Sequence, residues 1–446
     1  MKSRFCQRPL RAALAAVLLG LSTGASAAGY SVVYNPYASV NWGTTLRCQS
    51  QHHDHAYDAA KITALSNAGY CAVTYMTYSG DYKPTPVDAW IAAGFPNPDP
   101  GVPTGWGGYR RWPAEAYGAP ALPLNSLQFY LPGAEDIGLR ADGGHTNHMF
   151  ALGLTTYMEG VGCTSCGHLQ SAVHNNNPFG LPEGQIFATD SEFVAKATAL
   201  SAIVTLNHPA GAPATFDGIN PYPAAIEMFN NYHTTYDQGT CGTNFAAQFI
   251  AAWDHVLQVK SPRIWGVAVN DWNSAWTPLG TSSVACWPPI TLQNRDRGKL
   301  QVLLPSYDLA SYLAAFRAGA FFAVVEDNEI KAAYPTVTRI DTTYNSISIT
   351  TAAGNETVTW IGNGAVVATG FSLDLSNLPA GLVYARAEIN DGAGRTVYTQ
   401  PFSLGDPVPP PPDAPVPSLS EEAAALLGLA LLLIVLWKAP NSTARA

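Results

Sequence analysis

The sequence predicts an α/β domain with a mostly parallel sheet or barrel, followed by a small all-β, immunoglobulin-like sandwich. Short β-branched segments alternate with helix-like segments over roughly 300 residues. After residue 333 this texture changes to alternating polar and apolar residues broken by turn signals. The chain has 446 residues, 47% hydrophobic and 12% charged, so it is long enough to bury a large core and is not disordered throughout.

Residues 1–28 are predicted to be a secretory signal peptide. Four basic residues precede an apolar run: Lys2, Arg4, Arg8 and Arg11. Residues 25–27 (ASA) then have the small-residue pattern of a cleavage site. The alternative, a membrane-spanning anchor, is disfavoured because residues 22–24 (STG) interrupt a run that is already short for a bilayer.

The negative net charge argues against nucleic acid as a partner. The formal net charge is -9, and removal of four cations with the signal peptide makes it -13. Because polyanion binding needs a basic surface, no nucleic acid partner is expected.

The carboxyl end carries a predicted linker and tail. Residues 405–417 (GDPVPPPPDAPVP) form a Pro-rich, semi-rigid linker. Residues 418–446 then hold an apolar run of about 15 residues, spanning roughly 22 Å and followed by Lys438. The order of a short motif (VPSLSEE), an apolar run and a cation resembles the tripartite PEP-CTERM or IPTL-CTERM sorting tails of exported Gram-negative bacterial proteins. A short membrane anchor is the alternative.

These two ends together predict an exported protein of the periplasm, the outer cell envelope or the extracellular space. Its expected partners there are the export and C-terminal sorting machinery, and the membrane through the tail.

Cysteine usage fits export. Six cysteines remain after removal of the signal peptide: Cys48, Cys71, Cys163, Cys166, Cys241 and Cys286. Three disulfides are expected in an oxidising compartment, with about 15 connectivities open. Cys48 and Cys71 lie on consecutive predicted strands and would be neighbours in a barrel. Cys163 and Cys166 form a local pair, for which zinc binding with nearby histidines is the alternative to a disulfide.

Residues 29–333 form the predicted barrel segment. Strands are predicted in TTLRCQS, YCAVTYM, IVTLNHP, AAIEMFN and IWGVAVND, and helices in DAAKITALSNAG, EFVAKATALSA, FAAQFIAAWDHVLQVK and DLASYLAAFRAGA. Residues 79–134 and 160–185 are rich in Gly and Pro and long for connections, so they are predicted to be loops around a site. Residues 334–404 form the predicted sandwich of about 70 residues.

Candidate metal ligands follow the predicted strands. In a barrel of βα units, residues just past the carboxyl ends of strands converge on one face. The candidates are His53, His55, Glu135, His148, His208 and Asp271. This mixed set of imidazoles and carboxylates suits two divalent ions of zinc, manganese or iron, with Glu135 or Asp271 as a bridge.

Several neighbouring residues compete with these candidates. His145 is an alternative to His148, whereas His52 cannot share the face on which strand alternation places His53 and His55. For Glu227, an ion pair or hydrogen bond under a loop is at least as well supported as a role in the site.

Two further groups of residues have simpler interpretations. Trp253 is predicted to be a core residue and Asp254 a local hydrogen-bonding group. Arg110 and Arg111 could clamp a phosphate, but paired loop arginines are usually solvated.

The order of several short motifs resembles the PHP family, the polymerase and histidinol phosphatase domain. The motifs are HDH (53–55), GYCAVTYMTY (69–78), PGAEDIG, HMFALG, LNHP (206–209), IEMFN (226–230) and VAVNDWN (267–273). The resemblance covers about residues 40–330, and FRAGAFFAV and YARAEINDGAGRTVYTQPFSL are similar to exported members with an appended β-domain. It implies a distorted (βα)7 TIM-like barrel that hydrolyses phosphate esters at a site with two or three metal ions.

The resemblance also implies how the ligands are shared. One ion has four ligands: His53, His55, Glu135 and Asp271. A second ion shares Glu135 with His148 and His208. The sequence departs from the family at the third ion, because Thr77 and Tyr78 stand where the family has Asp and His, and Asn273 stands where it has His. Since all the departures concern one ion, a binuclear centre is predicted.

In the mechanism implied for such a centre, Asp271 or His55 orients the attacking water, and Tyr78 donates a proton to the leaving oxygen. Packing at the barrel mouth is the alternative for Tyr78.

Two function classes stay open. The first is a metal-dependent phosphoesterase acting on a small-molecule phosphate ester or phosphodiester, and the intact ligand set favours it. The second is a non-catalytic, metal-stabilised cell-envelope protein on a degenerate PHP barrel, which the missing third-ion ligands favour.

Overall fold

The computed structural model describes residues 27–53, 59–78, 120–136, 147–154, 189–209, 212–231, 245–271, 296–326 and 334–406. The described residues up to Gly405 belong to one compact unit. Within the described ranges no helix is both long enough and apolar enough to cross a membrane. The apolar run of the tail, the sorting signal and most of the signal peptide lie outside these ranges, so their predicted roles stay predictions.

The first half of the described chain alternates strands and helices. Its strands are β1 (Ala27–Ala28), β2 (Ser31–Tyr34), β3 (Leu46–Gln51), β4 (Tyr70–Tyr78), β5 (Phe129–Asp136), β6 (Met149–Leu152), β7 (Ile203–Leu206), β8 (Ala225–Asn230), β9 (Trp265–Val269), β10 (Gly298–Leu304) and β11 (Phe321–Glu326). Its helices are α1 (Ala59–Asn67), α2 (Asp190–Ala199), α3 (Phe245–Val259) and α4 (Leu309–Ala318), with a 3₁₀ turn at Pro213–Phe216. The strands and helices predicted from the sequence in this part of the chain are confirmed.

The remaining described residues are almost entirely strands. They are β12 (Val337–Thr342), β13 (Ser346–Thr351), β14 (Thr357–Gly362), β15 (Ala365–Thr369), β16 (Ser372–Asp374), β17 (Leu378–Pro379), β18 (Tyr384–Asn390), β19 (Arg395–Thr399) and β20 (Phe402–Gly405). The predicted change of texture after residue 333 is confirmed.

One predicted loop is shorter than the sequence suggested. Residues 79–134 were expected to form a decorating loop, yet β5 begins at Phe129 and pairs in parallel with β4 from Ala72 onward. The reason is local, because residues 127–131 are mostly buried apolar side chains despite the prolines on either side. Residues 79–119 and 160–185 lie outside the described ranges.

A mixed α/β fold with a large sheet is confirmed. Strands β3, β4 and β5 are parallel, as are β7, β8 and β9, but β6 runs antiparallel to both β5 and β7. Strand β10 lies antiparallel between β3 and β11. A strict repeat of βα units would make every strand parallel, so the distorted (βα)7 barrel stays a prediction.

The two ends of the parallel region approach each other. The backbone N–H of Asp271, after β9, donates to the carbonyl of His53, after β3, over 2.9 Å. The N–H of Gly298 at the start of β10 donates to Oδ1 of Asn270 over 3.0 Å. A side chain at Gly298 would lie 2.4 Å from the Val269 carbonyl oxygen, so glycine is required at this approach. His53 and Asp271 therefore become neighbours.

Helix α3 covers this sheet with an apolar face. Phe249, Trp253 and Val256, spaced four and three residues apart, are fully buried. The Trp253 indole donates to the Ile264 carbonyl over 2.9 Å, and a side chain at Gly266 would lie 2.6 Å from its ring. Trp253 is a core residue, as predicted.

The prediction that Asp254 makes local hydrogen bonds is wrong. Its carboxylate accepts bonds of 2.9 Å from both Nε and a terminal nitrogen of Arg386, and one of 2.6 Å from the Tyr384 hydroxyl. Both partners lie on β18, about 130 residues away in sequence. Sequence proximity could not reveal them, since a buried carboxylate pairs with whichever cation the fold brings to it.

Helix α4 packs against β10 and β5 and also contacts residues at the end of β3. Asp308 caps its amino end, accepting from the Ser311 N–H over 2.8 Å, and Gly319 ends it with a φ of 73°. The Tyr312 hydroxyl lies 2.9 Å from Oγ of Ser50, and Phe316 stacks on His52 with ring centroids 4.8 Å apart.

The carboxyl-terminal strands continue the large sheet, because β19 pairs with β11. Strands β12, β13 and β16 form a separate three-stranded sheet, and Trp360 and Phe402 lie in the buried apolar cluster of this region. Strand β2 pairs with β20, so the start of the described chain joins the same region. The boundary predicted at residues 333 and 334 and the immunoglobulin-like form of the sandwich stay predictions.

Cys48 and Cys71 form a disulfide that joins β3 to β4, with Cα atoms 5.4 Å apart. Their expected proximity on consecutive strands is confirmed. The other four cysteines, Cys163, Cys166, Cys241 and Cys286, lie outside the described residues.

Candidate metal site

The candidate site lies where the ends of several strands meet. His53, His208 and Asp271 each follow a strand, β3, β7 and β9, by two residues. His148 directly precedes β6. Because β6 is antiparallel to β7, its amino end lies beside the carboxyl end of β7, and the Asn207 N–H donates to the His148 carbonyl over 3.0 Å. One edge of the sheet thus carries four of the predicted ligands.

His53 lies between two carboxylates. Its Nδ1 is 2.5 Å from Oε1 of Glu227, and its Nε2 is 3.2 Å from Oδ1 of Asp271. His53 and Glu227 are fully buried, and Asp271 is 8% exposed. An ionised Glu227 can only accept, so Nδ1 carries a proton. On a neutral ring the Nε2 lone pair then faces another acceptor, and such a pair needs a proton or a metal cation between its two atoms.

Glu227 connects the two halves of the site. Its Oε2 accepts from the His208 backbone N–H over 2.6 Å and from the Asn230 side chain over 2.8 Å. The same Asn230 amide nitrogen donates to Oδ2 of Asp271 over 2.9 Å. One buried amide therefore fixes both carboxylates that flank His53.

Two site residues have unusual backbone conformations. The φ angle is 25° at His208 and 54° at Asp271, and neither is glycine. Each such conformation costs on the order of 1 to 3 kcal/mol and persists only where surrounding contacts impose it. Here the His208 N–H is held by Glu227 and the Asp271 N–H by the His53 carbonyl. Strain at the ends of β7 and β9, the two strands that flank β8, indicates a functional edge.

His148 and His208 form a second pair. Their ring centroids lie 4.6 Å apart at 70°. Asn147 directly precedes His148, and its side chain donates to the carboxylate of Asp190, at the start of α2, over 2.6 Å. The two rings are half-buried. The backbone N–H of His208 connects this pair to Glu227, whose Oε2 accepts its hydrogen bond.

Other predicted site residues are described only in part. Glu135 and Tyr78 lie opposite each other in the register of β5 and β4, and Glu135 also faces Phe150 on β6. The Phe150 ring stacks on His53 with centroids 5.8 Å apart, so the Glu135 backbone runs beside the site. Several residues singled out from the sequence lie outside the described ranges: His55, Arg110, Arg111, His145 and Asn273.

His52 faces away from the site, as strand alternation predicted. It is fully buried, its Nε2 lies 2.9 Å from Oγ1 of Thr205, and its ring contacts Phe316 and Phe150. Burial, assisted by His53, lowers the pKa of His52 to about 3, so it is neutral at ordinary pH.

Glu227 has a larger role in the site than its sequence context suggested, and Asn230 was not among the predicted site residues. Both lie on β8, whose residues are all buried. A carboxylate and an amide inside a fully buried strand require partners. The presence of these two polar residues in an otherwise apolar strand was the sequence signal for a buried polar site, although it could not identify their partners.

The distance between the His53 and Asp271 side chains fits two ligands of one metal ion. Ligands about 2.0 to 2.2 Å from a zinc ion lie about 3.0 to 3.5 Å from each other, and the 3.2 Å between His53 Nε2 and Asp271 Oδ1 falls in that range. Within the described ranges no three His, Cys, Asp or Glu side chains form a group that could hold an ion alone. Two other predicted ligands, His55 and the side chain of Glu135, lie outside what the structure describes.

No family model matches the sequence, and no curated protein matches it. Among solved structures, the chain is similar to a two-domain protein from Bacteroides vulgatus, described as containing a predicted PHP-like metal-dependent phosphoesterase. The sequence identity is 11% and the TM-score 0.34, over 83% of this chain and 98% of that one.

Proposed function

We propose that this protein is an exported metal-dependent hydrolase, a phosphoesterase with a binuclear centre at the strand ends. The observation that carries the proposal is the position of His53 between Glu227 and Asp271. A carboxylate on Nδ1 of a histidine is the usual support of a metal-binding Nε2. Glu227 supplies that carboxylate, and Asp271 supplies an oxygen 3.2 Å from Nε2.

Two pairs of described side chains support two ions. His53 and Asp271 form one pair, and His148 and His208 form the other. Glu227 links the pairs, because it accepts from the His53 ring and from the His208 backbone. Glu135 is the proposed bridge, since its backbone runs beside Phe150, which stacks on His53.

When bound, two divalent ions would supply Lewis acidity that activates a water and neutralises charge on a phosphoryl group. The chain's own residues orient the reactants. Asp271, held by Asn230, and His55 are the proposed acceptors that orient the attacking water. Tyr78 at the end of β4 is the proposed proton donor to the leaving oxygen.

The proposed substrate is a small phosphate ester or phosphodiester. The three residues that differ from the PHP pattern, Thr77, Tyr78 and Asn273, all concern the third ion, so the proposal has two ions of zinc, manganese or iron and no third.

The proposed location is outside the cytoplasm, either in the cell envelope or beyond it. The Cys48–Cys71 disulfide supports this location because disulfides form and persist in oxidising compartments. Residues 1–28 are proposed as the export signal and residues 418–446 as the sorting or membrane-anchor tail.

The second candidate is a non-catalytic envelope protein that uses metal only for stability. Tyr78 favours it, because a tyrosine lies opposite Glu135 where the PHP pattern has a ligand histidine. This candidate predicts bound metal without turnover.

Metal content of the purified full chain by elemental mass spectrometry tests both candidates. The expected result is about two transition-metal ions per chain, falling in Glu135→Ala and His53→Ala. His255→Ala is the matched control, since His255 lies on α3 and pairs with Asp217 rather than with a proposed ligand. Absence of metal from the wild type contradicts both candidates.

Hydrolysis separates the two candidates. Metal-loaded protein is assayed with p-nitrophenyl phosphate and bis-p-nitrophenyl phosphate. Turnover that disappears in His53→Ala supports the phosphoesterase. Bound metal without turnover of either ester, or of a wider panel of phosphate esters, supports the structural role.

A further inference from the structure

A buried charged cluster lies directly behind the candidate site. Lys299 on β10 is 3.2 Å from Oδ2 of Asp296 and 3.3 Å from Oε2 of Glu326 on β11. All three side chains are at most 1% exposed. Burial lowers the pKa of Lys299, but Asp296 and Glu326 outweigh burial and raise it above its ordinary value. The lysine therefore stays charged inside the protein.

The other oxygen of Asp296 connects two strands of the site. Its Oδ1 accepts from the side chain of Asn270 over 3.1 Å and from that of Gln51 over 3.4 Å, and also from the Tyr70 hydroxyl. Gln51 ends β3, two residues before His53, and Asn270 directly precedes Asp271. A single carboxylate thus contacts both strand ends that carry the His53 and Asp271 pair.

Two backbone contacts make this connection rigid. Gln51 Nε2 donates to the Gly298 carbonyl over 2.6 Å, and the Gly298 N–H donates to Oδ1 of Asn270 over 3.0 Å. No side chain fits at Gly298, because a Cβ there would lie 2.4 Å from the Val269 carbonyl oxygen. The amide of Asn270 is therefore bound on both of its polar atoms, one residue before a backbone with a φ of 54°.

Stability alone is a poor reason for such a cluster. Desolvation of buried charges offsets most of their attraction, so a well-packed apolar replacement often does as well. A buried, hydrogen-bonded network does restrict the positions of the groups it contacts. The contacts of Asp296 lead to the two residues whose 3.2 Å separation the proposed metal site requires.

We infer that Asp296, with Lys299 and Asn270, is a positioning residue that holds His53 and Asp271 at metal-binding distance. This inference rests on the proposed function. Asp296 touches neither the metal nor the substrate and acts through Gln51 and Asn270.

The test compares Asp296→Asn with Asp254→Asn in the full chain. Asp254 is also a buried, ion-paired carboxylate, but its partner Arg386 lies on β18. Both variants lose a buried ion pair, and both are checked by urea unfolding. After removal of bound metal, each protein is titrated with Co²⁺, whose visible spectrum reports ligand number and geometry.

Asp296→Asn is expected to weaken Co²⁺ binding about 10- to 100-fold and to alter the spectrum of the bound ion. Asp254→Asn is expected to bind as the wild type does, with the same spectrum. Asn270→Ala leaves the ion pair in place and should show the same defect as Asp296→Asn, so it serves if Asp296→Asn does not fold.

Wild-type affinity and spectrum in folded Asp296→Asn or Asn270→Ala overturn the inference while leaving the proposed function intact. Equal losses in Asp296→Asn and Asp254→Asn also overturn it, because the effect would then be general destabilisation. A wild type that binds no Co²⁺ overturns the proposed function and the inference together.

Discussion

His53 and Asp271 approach each other twice, once through a backbone hydrogen bond and once through their side chains. The Asp271 N–H donates to the His53 carbonyl over 2.9 Å, and Asp271 Oδ1 lies 3.2 Å from His53 Nε2. The backbone bond joins strand ends that are more than 200 residues apart in sequence. It keeps the imidazole and the carboxylate within the spacing of two ligands on one ion.

Glu227→Gln should reduce metal affinity about 10- to 100-fold, because an amide cannot accept from His53, His208 and Asn230 together. Binding is measured by competition with a zinc-sensitive dye. Glu356→Gln is the matched control, since Glu356 is also buried and accepts from Thr351 over 2.6 Å. Unchanged affinity in folded Glu227→Gln would remove its positioning role.

His148→Ala and His208→Ala should each bind about one divalent ion fewer per chain than the wild type. The reason is that their rings form a pair separate from His53 and Asp271. His52→Ala should keep the full metal content but lose about 2 to 4 kcal/mol in the free energy of unfolding, since a buried ring and its bond to Thr205 are removed. Loss of metal in His52→Ala, measured per folded chain, would contradict this division of roles.

Asp308 should make thermal stability depend on acid pH. Hydrogen bonds from Ser306 and Ser311 lower the pKa of Asp308 below its ordinary value. A carboxyl with a lower pKa in the folded state binds fewer protons than in the unfolded state. Its stabilisation is therefore full above the ordinary pKa near 4 and is lost as the pH falls through the lowered value.

The matched variant for this prediction is Asp308→Asn, which can still cap α4 but does not ionise. The thermal midpoint of the wild type should exceed that of Asp308→Asn at pH 7, and the difference should shrink as the pH drops below 4. A difference that grows on acidification would reverse the sign of the shift.

Loss of the Cys48–Cys71 disulfide should lower the free energy of unfolding by about 3 kcal/mol, because the bond closes a loop of 23 residues in the unfolded chain. Urea unfolding of the double variant Cys48→Ala and Cys71→Ala measures the loss. A reductant should lower the wild type's stability towards that of the variant and leave the variant unchanged. A wild type insensitive to reductant under unfolding conditions would argue against the bond.

Local patterns were sufficient for the elements that carry the site. Runs of β-branched and apolar residues suit a buried strand, and IVTLNHP and IWGVAVND contain β7 and β9. The apolar spacing of FAAQFIAAWDHVLQVK specified α3 and the burial of Trp253. Strand alternation likewise separated His53 from His52.

Relations between distant residues were not predictable in the same way. The antiparallel direction of β6 depends on which strands flank it, and its own sequence is apolar throughout. The ion pair of Asp254 with Arg386 and the pairing of β11 with β19 depend on packing of the whole chain. Local composition has no information about such partners, because pairing energy depends on position in space.

The sequence by itself therefore determined the α/β class, the position of His53, His208 and Asp271 after strands, and the change to an all-β region. These follow from short-range periodicity and from the chemistry of single side chains. Only the tertiary structure decided that Glu227 and Asn230 organise the site and that Asp296 contacts both strand ends behind it. The physical reason is that buried polar groups must be satisfied, and the partner that satisfies each one is chosen by the fold.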